Sequence, residues 1–138
     1  MQPTPEQEAF QWQVGVWDRI SQLYFREIDP RFASVVAGTI RRADLRPGER
    51  VLDLGTGTAA LAVEAARLIG TSGTVTGLDI SPDMLSLAKR RVDASTHTNI
   101  ELRQGRAEEI PAGDAAYDVV LASLSLMYVI DRSVVARE

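Results

Sequence analysis

The sequence predicts an α/β domain, a doubly wound parallel sheet preceded by a helical N-terminal extension, and three observations lead there. Past residue 46 short apolar runs alternate with stretches whose apolar residues recur every three or four positions. The short runs are near-continuous, as in strands covered on both faces. Turn-forming or helix-capping residues separate them, so the order is strand, helix, strand, helix, strand, the signature of parallel pairing with right-handed crossovers.

Residues 5–45 read as helical. Phe10, Val14, Trp17, Ser21, Tyr24 and Ile28 fall on one stripe, widened by Ile20 and Leu23. Asp29-Pro30 is expected to break that helix, because proline disfavours a helical conformation in the residue before it. A second helix follows from about Phe32 to Ala43, and Arg46-Pro47-Gly48-Glu49 is a turn by composition. Residues 50–54 form the first strand and residues 58–69 a helix with Leu61, Ala62, Ala65, Ala66 and Ile69 inward, ended by Gly70. Residues 74–79 are the second strand. Ser81 then caps a helix whose first turn holds Pro82, where the missing N–H costs nothing. Residues 100–103 and 117–122 are strands three and four, and a last helix starts at Asp131.

The chain has 138 residues, enough for one domain with a sizeable core and too few for two. It divides into an extension or lid over residues 1–45 and a ligand-binding domain over residues 46–138. About 45% of residues are hydrophobic and 25% charged, with a net charge of −4 and no basic block, which argues against a nucleic-acid partner. The absence of cysteine excludes disulfides, thiol catalysis and cysteine metal sites. The only histidine, His97, lies in a polar loop, and no metal site is expected. No apolar run approaches membrane-spanning length, so a soluble, cytoplasmic protein is expected.

The informative stretch is DLGTGTAA, residues 53–60. In sheets of this type ligands bind outside the carboxyl ends of the strands. Gly55 and Gly57 satisfy a relaxed dinucleotide fingerprint, and Asp79 stands about where a ribose-binding acid belongs. Asp53 separates the candidates. At about 5 Å and an effective dielectric near 20, it would repel a pyrophosphate by roughly 3 kcal/mol. A cationic cofactor turns that term into attraction. S-adenosylmethionine, with an α-ammonium, a sulfonium and a ribose but no phosphate, fits.

The segments VLDLGTGTAALAVEAARLI, VTGLDISPDMLSLAKR and IELRQGRAEEIPAGDAAYDVVLASLSLMYVID together resemble the class I S-adenosylmethionine-dependent methyltransferases, which have a Rossmann-like fold. The likeness is to the small-molecule group that includes the ubiquinone and menaquinone biosynthesis enzymes, and covers roughly residues 47–138. It implies that Asp53, Gly55, Thr56 and Gly57 hold the methionine part and the ribose side. Asp79 would bind the ribose hydroxyls, with Ile80 and Met84 against the adenine. Arg106-Ala107 stands where the family usually carries Asp-Ala; Ala107 N–H can still read an adenine nitrogen, but an arginine cannot accept the adenine amino bond. Ala122 would meet the methionine part through its backbone, and Tyr24 would close over the cofactor. Relatives that carry paired histidines near Met127-Tyr128 differ from this chain, so no catalytic residue is named.

The function so implied is methyl transfer from S-adenosylmethionine to a small organic molecule, leaving S-adenosylhomocysteine. Aminopropyl transfer, an NAD-binding dehydrogenase and a cofactor-binding fragment without activity of its own are the competing readings. Strand four is too apolar for an exposed edge. A missing C-terminal part of a longer protein, or a second copy in a homo-oligomer, is expected to cover it.

Overall fold

The computed structural model describes all residues from Met1 to Glu138. Four parallel strands, β1 (Arg50–Leu54), β2 (Thr74–Asp79), β3 (Ile100–Gln104) and β4 (Val119–Leu121), form one sheet in the order β3-β2-β1-β4. The chain order reverses between β1 and β4, the switch point at which doubly wound sheets bind ligands.

Helices α1 (Pro5–Leu23) and α2 (Ala33–Ala43) precede the sheet, α3 (Ala60–Ile69) and α4 (Pro82–Ala94) make the crossovers, and a short α5 (Arg132–Val135) ends the chain. β1 is buried on both faces, and its side chains divide between two cores. Val51 joins Ile69, Val75, Ala88, Leu121 and the small inward face of α3, while Leu52 and Leu54 join Leu78 and Val135. Each buried valine, leucine or isoleucine among them contributes about 1.5–3 kcal/mol. The inward residues expected of α3 are all buried.

Three features depart from the sequence reading by more than one residue. The helix after β1 starts at Ala60 instead of Thr58, because Ala59 takes a left-handed conformation (φ 64°) that prolongs the glycine turn. β4 is three residues long: its partner β1 leaves the sheet at Gly55 (φ 68°), so little strand remains for Ala122 to pair with. The break at Asp29-Pro30 does not occur. Residues Tyr24–Ile28 widen into a π-turn and Asp29–Phe32 tighten into a 3-10 turn, so α1 passes into α2 with Asp29 still helical (φ −52°, ψ −46°). Tertiary contacts hold it: the Asp29 carboxylate accepts from the Thr58 hydroxyl and pairs with Arg91 at 2.9 Å.

Candidate active site

β1 ends in a turn that only glycine accommodates comfortably, with Gly55 at φ 68° and Gly57 at φ 56°. A Cβ at Gly55 would lie 2.5 Å from the Ser125 Cβ. The turn is anchored to the tip of β2: the Gly55 and Thr56 N–H groups both donate to the Leu78 carbonyl, at 2.8 and 3.0 Å. Gly57 N–H donates to Asp79 Oδ2 at 2.8 Å, and Ser81 N–H to Asp79 Oδ1 at 3.0 Å. Asp79 therefore ties the glycine turn to the start of α4, and its remaining lone pairs can take further donors. Burial raises its pKa, opposed by these backbone bonds and reinforced by the charge of Asp18.

Asp53 is 2% exposed, and its one hydrogen-bond partner is the Thr56 hydroxyl at 2.8 Å. Burial pushes its carboxyl up to about 7; the Thr56 bond works against that shift and the Asp79 charge adds to it. In the free protein this group is thus close to half protonated at neutral pH, and a neighbouring cation would ionise it.

Two adjoining hollows open at the strand tips. The larger spans about 870 Å³, open to solvent on one side, and is lined by Tyr24, Gly55, Gly57, Asp79, Ile80, Met84 and Ala107, together with residues of α1 and of the segment after β4. The smaller, about 470 Å³, holds Asp53, Thr56, Thr58 and Asp29. Tyr24, Gly55, Gly57, Ser123 and Leu124 line both, so the two meet there. Carboxylates of Asp79 and Glu108 line the first hollow and those of Asp53 and Asp29 the second; neither contains a lysine, arginine or histidine.

Nine of the eleven residues singled out from the sequence thus converge on the two hollows; Arg106 and Ala122 line neither. Arg106 is turned to α1, where it bonds Glu6 at 2.9 Å and lies 4.9 Å from the Phe10 ring centroid. Its Nε, 3.6 Å from Glu108, is buried without a hydrogen-bond partner. Ala122 packs against the smaller core, one residue short of the cleft. The sequence reading missed Asp29, Glu108 and the cleft-facing role of Phe10, Gln13 and Trp17. The aromatic stripe of α1 was the available signal: its period is that of a core-facing helix, yet only Ser21 of α1 is buried.

Fold and cleft together define a doubly wound α/β domain with an acidic cleft at its switch point. Residues 45–138 match the family described as methyltransferase domain, and the chain belongs to that family. Demethylmenaquinone methyltransferase of Bacillus cereus is 38% identical over 100 residues, which is 72% of this chain and 42% of that protein. The chain thus spans less than half the length of this curated relative. A SAM-dependent methyltransferase from Aquifex aeolicus shares the fold with a TM-score of 0.69 at 21% identity, over 75% of this chain and 55% of that one. An arsenic(III) S-adenosylmethionine methyltransferase from Chlamydomonas reinhardtii superposes with a TM-score of 0.61 at 32% identity, over 64% of this chain and 33% of that one.

Proposed function

We propose that this chain binds S-adenosylmethionine and directs its methyl group to a small organic acceptor. The observation that carries the reading is the sign of the site: four carboxylates and no cationic side chain line the two hollows. A pyrophosphate would find repulsion there, whereas an ammonium and a sulfonium find partners. Gly57 fits as well, because a Cβ there would meet nothing within 4 Å, so the turn borders open space.

In this reading residues 46–138 bind the cofactor and residues 1–45 form a lid over it. Asp53 and Thr56 hold the α-ammonium end in the smaller hollow. Asp79 accepts the ribose hydroxyls with the lone pairs that Gly57 and Ser81 leave free. Ile80 and Met84 pack on the adenine, Ala107 N–H reads its edge, and Tyr24 closes over the junction of the hollows. Arg106 secures the lid without touching the base, and Ala122, which lines neither hollow, has no contact role in this reading. Bound S-adenosylmethionine supplies an electrophilic methyl group on a good leaving sulfur. The protein contributes orientation and exclusion of water. Burial raises the Tyr24 phenol above its ordinary pKa, with the charge of Asp29 adding to that, so it remains a proton donor at neutral pH. A general base is not required where the acceptor arrives nucleophilic, and no catalytic residue is assigned.

The β4 edge favours a second, compatible reading. Val120 is 54% exposed, and Met127, Tyr128 and Ile130 of the segment that follows are partly exposed as well. A second copy, or further chain of a longer protein, would cover it, and activity would then depend on that cover. The proposal places the protein in the cytoplasm; no helix is long and apolar enough to cross a membrane. Calorimetric titration with S-adenosylhomocysteine, NAD and NADP tests the function. Saturable binding of the first alone is expected. Tight NAD binding with no response to S-adenosylhomocysteine would overturn it.

A further inference from the structure

We propose that Arg91, which lines neither hollow, fits the smaller one to an amino-acid end carrying both an ammonium and a carboxylate, by cancelling the charge of Asp29 from behind the wall. This rests on the S-adenosylmethionine reading above and adds a specificity-determining residue to the same site.

Two carboxylates border the smaller hollow, and they are partnered differently. Asp53 has the Thr56 hydroxyl alone, at 2.8 Å, and is left for a cation. Asp29, whose side chain is 9% exposed, faces Arg91 at 2.9 Å and accepts from the Thr58 hydroxyl. Arg91 extends from the last turn of α4 and is held on several sides. Its Nη1 donates to the Thr58 carbonyl at 3.2 Å and to the Thr58 hydroxyl at 2.8 Å, and its guanidinium lies over the Phe25 ring, 5.0 Å from the centroid. A planar guanidinium engaged by a carboxylate, a hydroxyl, a carbonyl and a ring keeps one orientation.

The sign of the hollow depends on that pair. No lysine, arginine or histidine lines it. With Asp29 uncancelled, an amino-acid end would bring its carboxylate against two others, and its single ammonium could offset only one of them. A ligand of the same shape with the ammonium alone would then be preferred. With Asp29 cancelled by Arg91, Asp53 meets the ammonium and the ligand carboxylate enters beside a wall of little net charge. The field of Asp29 does reach the cleft. Burial raises the Tyr24 pKa, the Asp29 charge adds to that, and Tyr24 stands where the two hollows meet. The charge that Arg91 cancels is therefore one that a ligand would feel.

The test is calorimetry at neutral pH with S-adenosylhomocysteine and with decarboxylated S-adenosylhomocysteine, which keeps the ammonium and lacks the carboxylate. The ratio of the two affinities is the readout. The wild type should bind S-adenosylhomocysteine at least as tightly as the analogue. Arg91→Met should shift the ratio toward the analogue by about tenfold or more, and Asp29→Asn, which uncovers the guanidinium, should shift it the other way. Combining the two substitutions should return the ratio to the wild-type value. Loss of packing or of the Thr58 bonds would weaken both ligands alike and cannot give shifts of opposite sign. If Arg91→Met does not fold, the direction of the Asp29→Asn shift decides by itself. A wild-type preference for the analogue, or an unchanged ratio in either single variant, overturns the charge-cancelling role while leaving the cofactor reading in place. Failure of S-adenosylhomocysteine to bind the wild type overturns both.

Discussion

The Asp53 carboxyl is buried with a single hydroxyl partner and its pKa is pushed up to about 7, and that sets two opposite responses to pH. Its folded-state pKa, raised to about 7, exceeds the ordinary aspartate value of about 3.9. The folded state therefore holds this proton more tightly than the unfolded chain does. The resulting stability is fully present below about pH 4 and is lost as pH rises through about 7. The melting temperature of the ligand-free protein should fall between about pH 5 and pH 8, and Asp53→Asn should flatten that part of the curve, as followed by circular dichroism. Ligand affinity should move the other way. The ammonium of S-adenosylhomocysteine favours the ionised carboxylate, so binding should tighten over the same interval in the wild type and stay level in Asp53→Asn. At neutral pH, Asp53→Ala is expected to weaken S-adenosylmethionine by about tenfold or more, the worth of a charge-assisted bond, and to do so more than Asp79→Asn. Equal affinities for wild type and Asp53→Ala in a calorimetric titration would refute the electrostatic account. The position of Asp53 at a strand tip was legible from its place before the Gly-x-Gly turn. Its protonation was not, because burial and the nearness of Asp79 depend on neighbouring strands.

The N-terminal helix is held by ties spaced along its length. Glu6 bonds Arg106, Gln13 bonds the Tyr128 carbonyl, and Asp18 accepts from the Ser81 hydroxyl at 2.6 Å. Asp29, beyond the π-turn, pairs with Arg91, which also lies 5.0 Å from the Phe25 ring. Only Ser21 of α1 is buried, so polar and aromatic contacts, more than a shared core, keep the helix across the cleft. An element held this way opens at lower free energy than the sheet does. Arg106→Ala should speed amide exchange across residues 6–12 and leave β1 and β2 protected. Its cost in global stability should be about 1 kcal/mol or less, since Glu6 is largely exposed. The capping of α4 was readable in full: Ser81 accepts from Met84 N–H at 3.0 Å, and Pro82 opens the first turn. The continuity of α1 into α2 was not, because local preference at Asp29-Pro30 is overridden by Thr58 and Arg91, distant in sequence.

At the scale of the molecule the two sheet edges are unlike. β3 carries Glu101 and Arg103, paired with each other at 2.8 Å, the charged character that discourages further strand pairing. β4 presents the half-exposed, apolar Val120. Sedimentation should show concentration-dependent association of the isolated chain, reduced by Val120→Lys; a compact monomer at all concentrations would contradict the reading of that edge as a covered one. The sequence by itself determined the order of strands and helices, the parallel sheet and the acidic side chains at the strand tips. Those follow from periodicity, turn residues and charge, which act over a few neighbouring residues. Only the tertiary structure decided that Asp29, Glu108 and the rings of α1 border the cleft while Arg106 turns away from it. Their positions depend on how α1 crosses the strand tips, and contacts between segments far apart in the chain leave no local pattern to read.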